Sequence, residues 1–95
     1  MRKYELVCVV QPDLDETAFN GVIDRLKGWI SESGGSVDKV DIWGRRKLAY
    51  PIRKHRDGQY VLLNVSLNPT ATTELERNLR FQDTVLRYML SVVGE

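Results

Sequence analysis

Six of the fourteen basic side chains, Arg45, Arg46, Lys47, Arg53, Lys54 and Arg56, fall within twelve consecutive residues that contain no carboxylate. Guanidinium and ammonium groups at this density neutralise phosphates, and Tyr50 among them offers a ring on which an unpaired base can stack. The flanks are acidic: residues 1–44 hold five basic and eight acidic side chains, and residues 57–95 hold three and five. The net charge of +1 therefore conceals one localised positive footprint of the kind a nucleic acid recognises. His55, the only histidine, lies in the same stretch with no cysteine or second histidine nearby. It suits a surface position beside phosphate better than a metal site or a catalytic role. The plain alternative is a solvated hairpin whose charges keep a strand edge from pairing with other chains. The missing acidic neighbours and the embedded Tyr50 weigh against it.

Other chemistries find little support. Cys8 is the sole cysteine, so neither an internal disulfide nor a thiolate metal cluster can form. Its setting, Leu6-Val7-Cys8-Val9-Val10, is that of a small buried side chain in a strand, as a reducing cytoplasm permits. Asp13, Asp15 and Glu16 are explained by the start of a helix. There is no nucleophile elbow, P-loop or dinucleotide fingerprint. We expect no active site, no metal, no cofactor and no small-molecule substrate. No apolar run approaches the ~20 residues that cross a bilayer. The first apolar segment contains Glu5 and leads into Gln11-Pro12-Asp13 rather than a cleavage site, so the chain is expected to be intracellular.

The elements that must carry the basic stretch follow from periodicity. Residues 4–10 alternate as a strand, Leu6, Cys8 and Val10 on one face and Glu5, Val7 and Val9 on the other. Asp13 or Asp15 caps a helix with an apolar stripe at Phe19, Val22, Ile23, Leu26, Trp29 and Ile30, closed by Gly34-Gly35. Gly21 and Gly28 inside that helix suggest close packing on a sheet. Residues 36–52 form a long strand that Gly44 bends or bulges, with Trp43 before it either in the core or facing a partner. Residues 53–58 then turn the chain through Asp57-Gly58. A third strand, 59–67, directs Val61, Leu63, Val65 and Leu67 to the core and Tyr60, Leu62, Asn64 and Ser66 away from it. Asn68-Pro69 opens a second helix carrying Leu75 and Leu79, with Thr73 and Glu76 as an alternative capping box. Residues 85–93 return to strand, Arg87 opposite Leu86, Tyr88 and Leu90. Strand, helix, strand, strand, helix, strand is the order of the split βαβ motif. The expected fold is α+β and ferredoxin-like: residues 1–95 as one domain, a four-stranded antiparallel sheet, and two helices on one face.

The run Gly44-Arg45-Arg46-Lys47-Leu48-Ala49-Tyr50-Pro51-Ile52 resembles the signature of the family of ribosomal protein six of the bacterial small subunit. The resemblance extends through Tyr4-Glu5, Gly34-Gly35, Gly58 with Tyr60, Asn68-Pro69 and Asp83-Thr84-Val85-Leu86-Arg87-Tyr88-Met89, and so covers essentially the whole chain. It implies a structural role in the cytoplasmic small ribosomal subunit, on the central domain of the 16S ribosomal RNA. The implied partner is ribosomal protein eighteen of the same subunit. Carried over residue by residue, it makes Arg45, Arg46, Lys47, Tyr50 and Lys54 RNA contacts. Arg53, His55 and Arg56 complete the basic stretch, and Arg2, Lys3 and Arg87 near strand termini are further RNA-binding candidates. Val7, Val9, Trp43, Tyr60, Leu62 and Met89 are candidates for the partner protein, because an uncovered sheet face with apolar content usually has a use.

Two other functions stay in contention. A general single-stranded RNA reader shares the strand order, but it needs paired aromatics on the middle strands where Gln59-Tyr60-Val61-Leu62-Leu63-Asn64-Val65 is mostly aliphatic. A ferredoxin-like dimer binding a small molecule would need a polar pocket or catalytic group that the residues do not suggest.

Overall fold

A computed structural model describes residues 1–93. Its elements are β1 (Arg2–Val10), α1 (Glu16–Glu32), β2 (Ser36–Ile52), β3 (His55–Leu67), a short 3-10 turn (Pro69–Ala71), α2 (Thr72–Arg80) and β4 (Val85–Val92). The strands form one antiparallel sheet in the order β2-β3-β1-β4. Both helices contribute to one core with the same sheet face. The architecture is the split βαβ sandwich that the element order implies.

Alternation decides which face is covered. Leu6, Cys8 and Val10 of β1 and Val61, Leu63, Val65 and Leu67 of β3 are fully buried, and they meet Phe19, Val22, Ile23, Leu26 and Ile30 of α1. Leu75 and Leu79 of α2 complete the same core. Each such aliphatic side chain stabilises the fold by roughly 1.5–3 kcal/mol through burial. Trp29 sits at the margin of this cluster, partly buried against it.

Helix starts are set by single side chains. Asp15, not Asp13, caps α1, its Oδ1 accepting from the Ala18 N–H at 2.8 Å. Asn68 caps the turn before α2, its Oδ1 accepting from the Thr70 N–H at 3.1 Å. The alternative box at Thr73 and Glu76 is not used, and Glu76 instead accepts from the Tyr88 hydroxyl at 3.2 Å.

Two expectations about glycine are overturned. A side chain at Gly21 or Gly28 would meet nothing within 4 Å, so neither is there for close packing; both lie on the exposed face of α1. Nor does Asp57-Gly58 turn the chain. Both residues belong to β3, which starts at His55, and the reversal occurs at Arg53-Lys54, with Ile52 paired to His55. Gly58 answers a different need, because a Cβ there would collide with Val9 Cγ1.

Burial also governs the lone thiol. Desolvation disfavours its charged form, and Cys8 is pushed up from 9.0 to about 12. Between about pH 9 and pH 12 the native state keeps a proton that the unfolded chain has released, so Cys8 lowers stability as pH rises through that window. Alkylation of Cys8 at pH 8 should accordingly follow global unfolding. Rapid labelling of the native protein by iodoacetamide would contradict this. Gly21→Ala and Gly28→Ala should each raise stability by about 1 kcal/mol in urea unfolding. Gly35→Ala should instead lower it by about 1–3 kcal/mol, since its Cβ would strike the Ser66 carbonyl and Leu67 Cδ2.

Candidate nucleic-acid interface

The basic residues are positioned by an overhang. β2 has 17 residues and β3 13, whereas β1 has 9 and β4 8. Val10, the last residue of β1, pairs with Gln59, so β3 residues before 59 and the β2 residues opposite them continue as a two-stranded ribbon. Arg46, Lys47, Tyr50, Arg53, Lys54, His55 and Arg56 lie on this ribbon and Arg45, opposite Gln59, at its root; all but half-buried His55 are exposed. Arg87 of β4 pairs with Val9 and joins them at the ribbon's base. Arg2 and Lys3 do not: they pair with Leu67 and Ser66 at the other end of β1. Eight strand steps, roughly 26 Å, separate that end from the ribbon.

The turn at the tip is conformationally costly. A two-residue hairpin loop with left-handed backbone at both positions favours Asn-Gly, yet here Arg53 has φ 50° and Lys54 φ 71°. An L-residue in that region costs roughly 1–2 kcal/mol. Two long cations thus occupy positions that backbone preference would assign to small residues.

What holds the ribbon is polar but largely uncharged. Gln59 Nε2 donates to the carbonyls of Gln11, Pro12 and Leu14 at 3.3–3.4 Å, tying the β1–α1 loop to the ribbon's root. Arg45 adds a bond to the Pro12 carbonyl at 3.1 Å. Arg53 Nη1 donates to the Asp83 carbonyl at 2.9 Å, and Arg87 Nη1 to the Tyr50 hydroxyl at 3.0 Å. Arg46 lies 5.2 Å over the Trp43 ring, a cation–π contact. Carbonyls, a phenol and an indole orient these four arginines, and no carboxylate of the described residues forms an ion pair with them. Their positive charge stays available to an incoming anion.

The open sheet face beside the ribbon is apolar. A bulge at Gly44, φ +87°, leaves Trp43 outside the ladder and turns it onto this face, where it stacks on Tyr60 at 6.3 Å and 12°. The Trp43 indole N–H donates to Asp41 at 3.3 Å. Trp43 is therefore not core. Val7, Val9, Tyr60, Arg87, Tyr88 and Met89 border a hollow of about 190 Å³. Met89 is 55% exposed and Val7 and Leu62 are half-buried, but Val9 is only 5% exposed. Gly58 approaches Val9 closely, so Val9 supports the surface rather than presenting itself to a partner. The pairing of Trp43 with Tyr60 is hidden in the sequence, because it depends on a bulge that shifts register by one residue.

No cluster of three or more metal-ligating side chains occurs among the described residues, and no helix of the described residues is long and apolar enough to cross a membrane. The fold and its cationic ribbon thus define a ferredoxin-like α+β protein built around an exposed basic hairpin. Residues 3–91 match the family model of Ribosomal protein S6. The chain is 49% identical over 90 residues, 95% of each chain, to the small ribosomal subunit protein bS6 of Clostridium novyi. The identity is again 49% with the corresponding protein of Caldanaerobacter subterraneus, over 95% of both chains. In three dimensions it is similar to the 30S ribosomal protein S6 of Thermotoga maritima, with a TM-score of 0.90 and 29% identity over 97% of this chain and 87% of that one. The chain belongs to the ribosomal protein S6 family. It is accordingly a structural, non-catalytic component of the small ribosomal subunit, a cytoplasmic particle.

Relief of the tip strain gives a direct check on the turn. Lys54→Gly should raise stability by about 0.5–1 kcal/mol, the left-handed penalty being partly offset by the greater entropy of glycine in the unfolded chain. A destabilised variant in chemical denaturation would mean that the turn has another geometry.

Proposed function

We propose that the protein binds the central domain of the small-subunit 16S ribosomal RNA through its basic ribbon, together with ribosomal protein eighteen of the same subunit on the open sheet face. The observation that supports this most is the set of arginines oriented by neutral acceptors. A solvated hairpin built to resist aggregation gains from interspersed acids, whereas a phosphate-binding surface gains from their absence. Arg45, Arg46, Lys47, Arg53, Lys54 and Arg56 neutralise backbone phosphates in this reading, while Tyr50, His55 and Arg87 lie at the same end. Arg2 and Lys3, at the far end of β1, would meet a separate stretch of RNA or none. Met89, Leu62, Val7, Trp43 and Tyr60 supply the apolar surface for the partner, a use suited to an uncovered sheet face.

The reading as a general single-stranded RNA module is weaker for a geometric reason. Such a module needs aromatic faces free to receive bases. Here Trp43 stacks on Tyr60 and carries Arg46 on its ring, so the aromatic faces engage one another.

Replacing Arg45, Arg46 and Lys47 together by Ala should weaken binding to the central-domain 16S RNA, measured with the partner protein present. The slope of log K against log salt should become shallower by up to about three, roughly one unit for each phosphate no longer neutralised. Unchanged affinity and slope would remove these residues from the interface.

A further inference from the structure

The sheet has two edges, and they are guarded unequally. β2 carries Asp38, Lys39 and Asp41, the bulge at Gly44 and Pro51, each a device that discourages pairing with a further strand. β4, the opposite edge, has neither charge nor proline from Tyr88 to Val93. Its pairing with β1 is regular from Val92 back to Arg87 and shifts only at Val85. Met89, Val92 and Val93 are exposed there. In an antiparallel ladder, pairs that exchange hydrogen bonds alternate with pairs that do not. The Val93 N–H donates to the Lys3 carbonyl at 2.8 Å, which makes Ser91, Met89 and Arg87 the residues bonded to β1. Tyr88, Leu90 and Val92 therefore turn their N–H and C=O groups outward, in a spacing symmetric about Leu90. A two-fold axis at Leu90 sets Leu90 against Leu90 of a second copy, and Tyr88 against its Val92. Every one of these outward residues then finds a partner, with roughly six new backbone hydrogen bonds. The same operation places Met89 opposite Ser91 and Arg87 opposite Val93. The two Arg87 residues stand roughly 20 Å apart at ~3.4 Å per residue, so no like charges meet.

We propose that the free protein self-associates through β4, two copies joining antiparallel about Leu90 so that their sheets become one continuous sheet. The interface is isologous, the same strand edge serving both copies. Pairing also covers Tyr88 and Leu90 further, both only partly buried against the core of the single chain. One strand edge is small beside the ~1,200–2,000 Å² of stable complexes, so the dimer is weak and reversible. Met89 also belongs to the apolar face proposed for the partner protein, which makes the dimer a form of the chain outside that complex. The inference stands independently of the RNA-binding reading.

The test begins with the intact protein in sedimentation equilibrium from micromolar to millimolar concentration. Mass should rise reversibly from monomer toward dimer, and hydrogen exchange at the Tyr88, Leu90 and Val92 amides should slow over the same range. Val92→Pro removes an outward donor that the single chain leaves unbonded to β1, a position on an edge strand where proline is tolerated. It should hold the chain at monomer mass, thermal unfolding verifying that the fold survives. The register is tested separately with Met89→Cys and Ser91→Cys, mixed and treated with oxidised glutathione. The disulfide between the two variants should form well above either like pair, while buried Cys8 stays out of the reaction. A statistical mixture of like and unlike disulfides would mean random collision and overturn the pairing. Monomer mass at every concentration would overturn it too. A chain that stays monomeric, but whose Tyr88, Leu90 and Val92 amides become protected on adding the partner protein, would assign the edge to a strand of that protein instead of a second copy.

Discussion

A mismatch in strand length shapes this molecule. β2 and β3 outgrow β1 and β4, so one end of the hairpin leaves the sheet and lacks the neighbouring strands that would share its hydrogen bonds. A two-stranded ribbon is marginal in water by itself. It persists here because Gln59 and Arg45 bind the β1–α1 loop at its root, while Arg53 and Arg87 tie its tip to the start of β4. Remove the overhang and the basic residues would have no common surface.

The ties have a second consequence. Each arginine that holds the ribbon in place does so on a carbonyl, a hydroxyl or an aromatic face, so its orientation is set without its charge being cancelled. Exposed ion pairs would have contributed little, typically ~0–1 kcal/mol each, and would have removed the field that attracts phosphate. The left-handed Arg53 and Lys54 fit the same logic. Backbone preference is overridden at the point where the chain projects furthest, and strain of this kind concentrates at functional positions.

The two sheet faces divide the remaining work. The helices cover the face bearing Leu6, Cys8, Leu63 and Val65, and the opposite face keeps a patch that mixes aliphatic residues with a Trp43–Tyr60 stack. Arg46 over Trp43 joins the cationic ribbon to that patch directly. The two surfaces are therefore continuous.

Much of this is legible in the residues. Alternation at 61–67 and the stripe from Phe19 to Ile30 determine the strands, the first helix and the covered face, because burial of one face dominates the energetics of small sheets. The concentration of charge at 45–56 marks the ribbon, and the signature from Gly44 to Ile52 marks the family. Local signals fail where geometry is non-local. Asp57-Gly58 has the composition of a turn, yet register and the nearness of Val9 place it inside a strand. Gly21 and Gly28 resemble packing sites and face solvent. Val9 has the parity of a partner-facing residue and is nonetheless buried, with Gly58 close against it. Sequence determined the elements, the core face and the location of the charge. Only the tertiary structure decided which of those charges meet, because strand register and strand length act across residues that the chain keeps far apart.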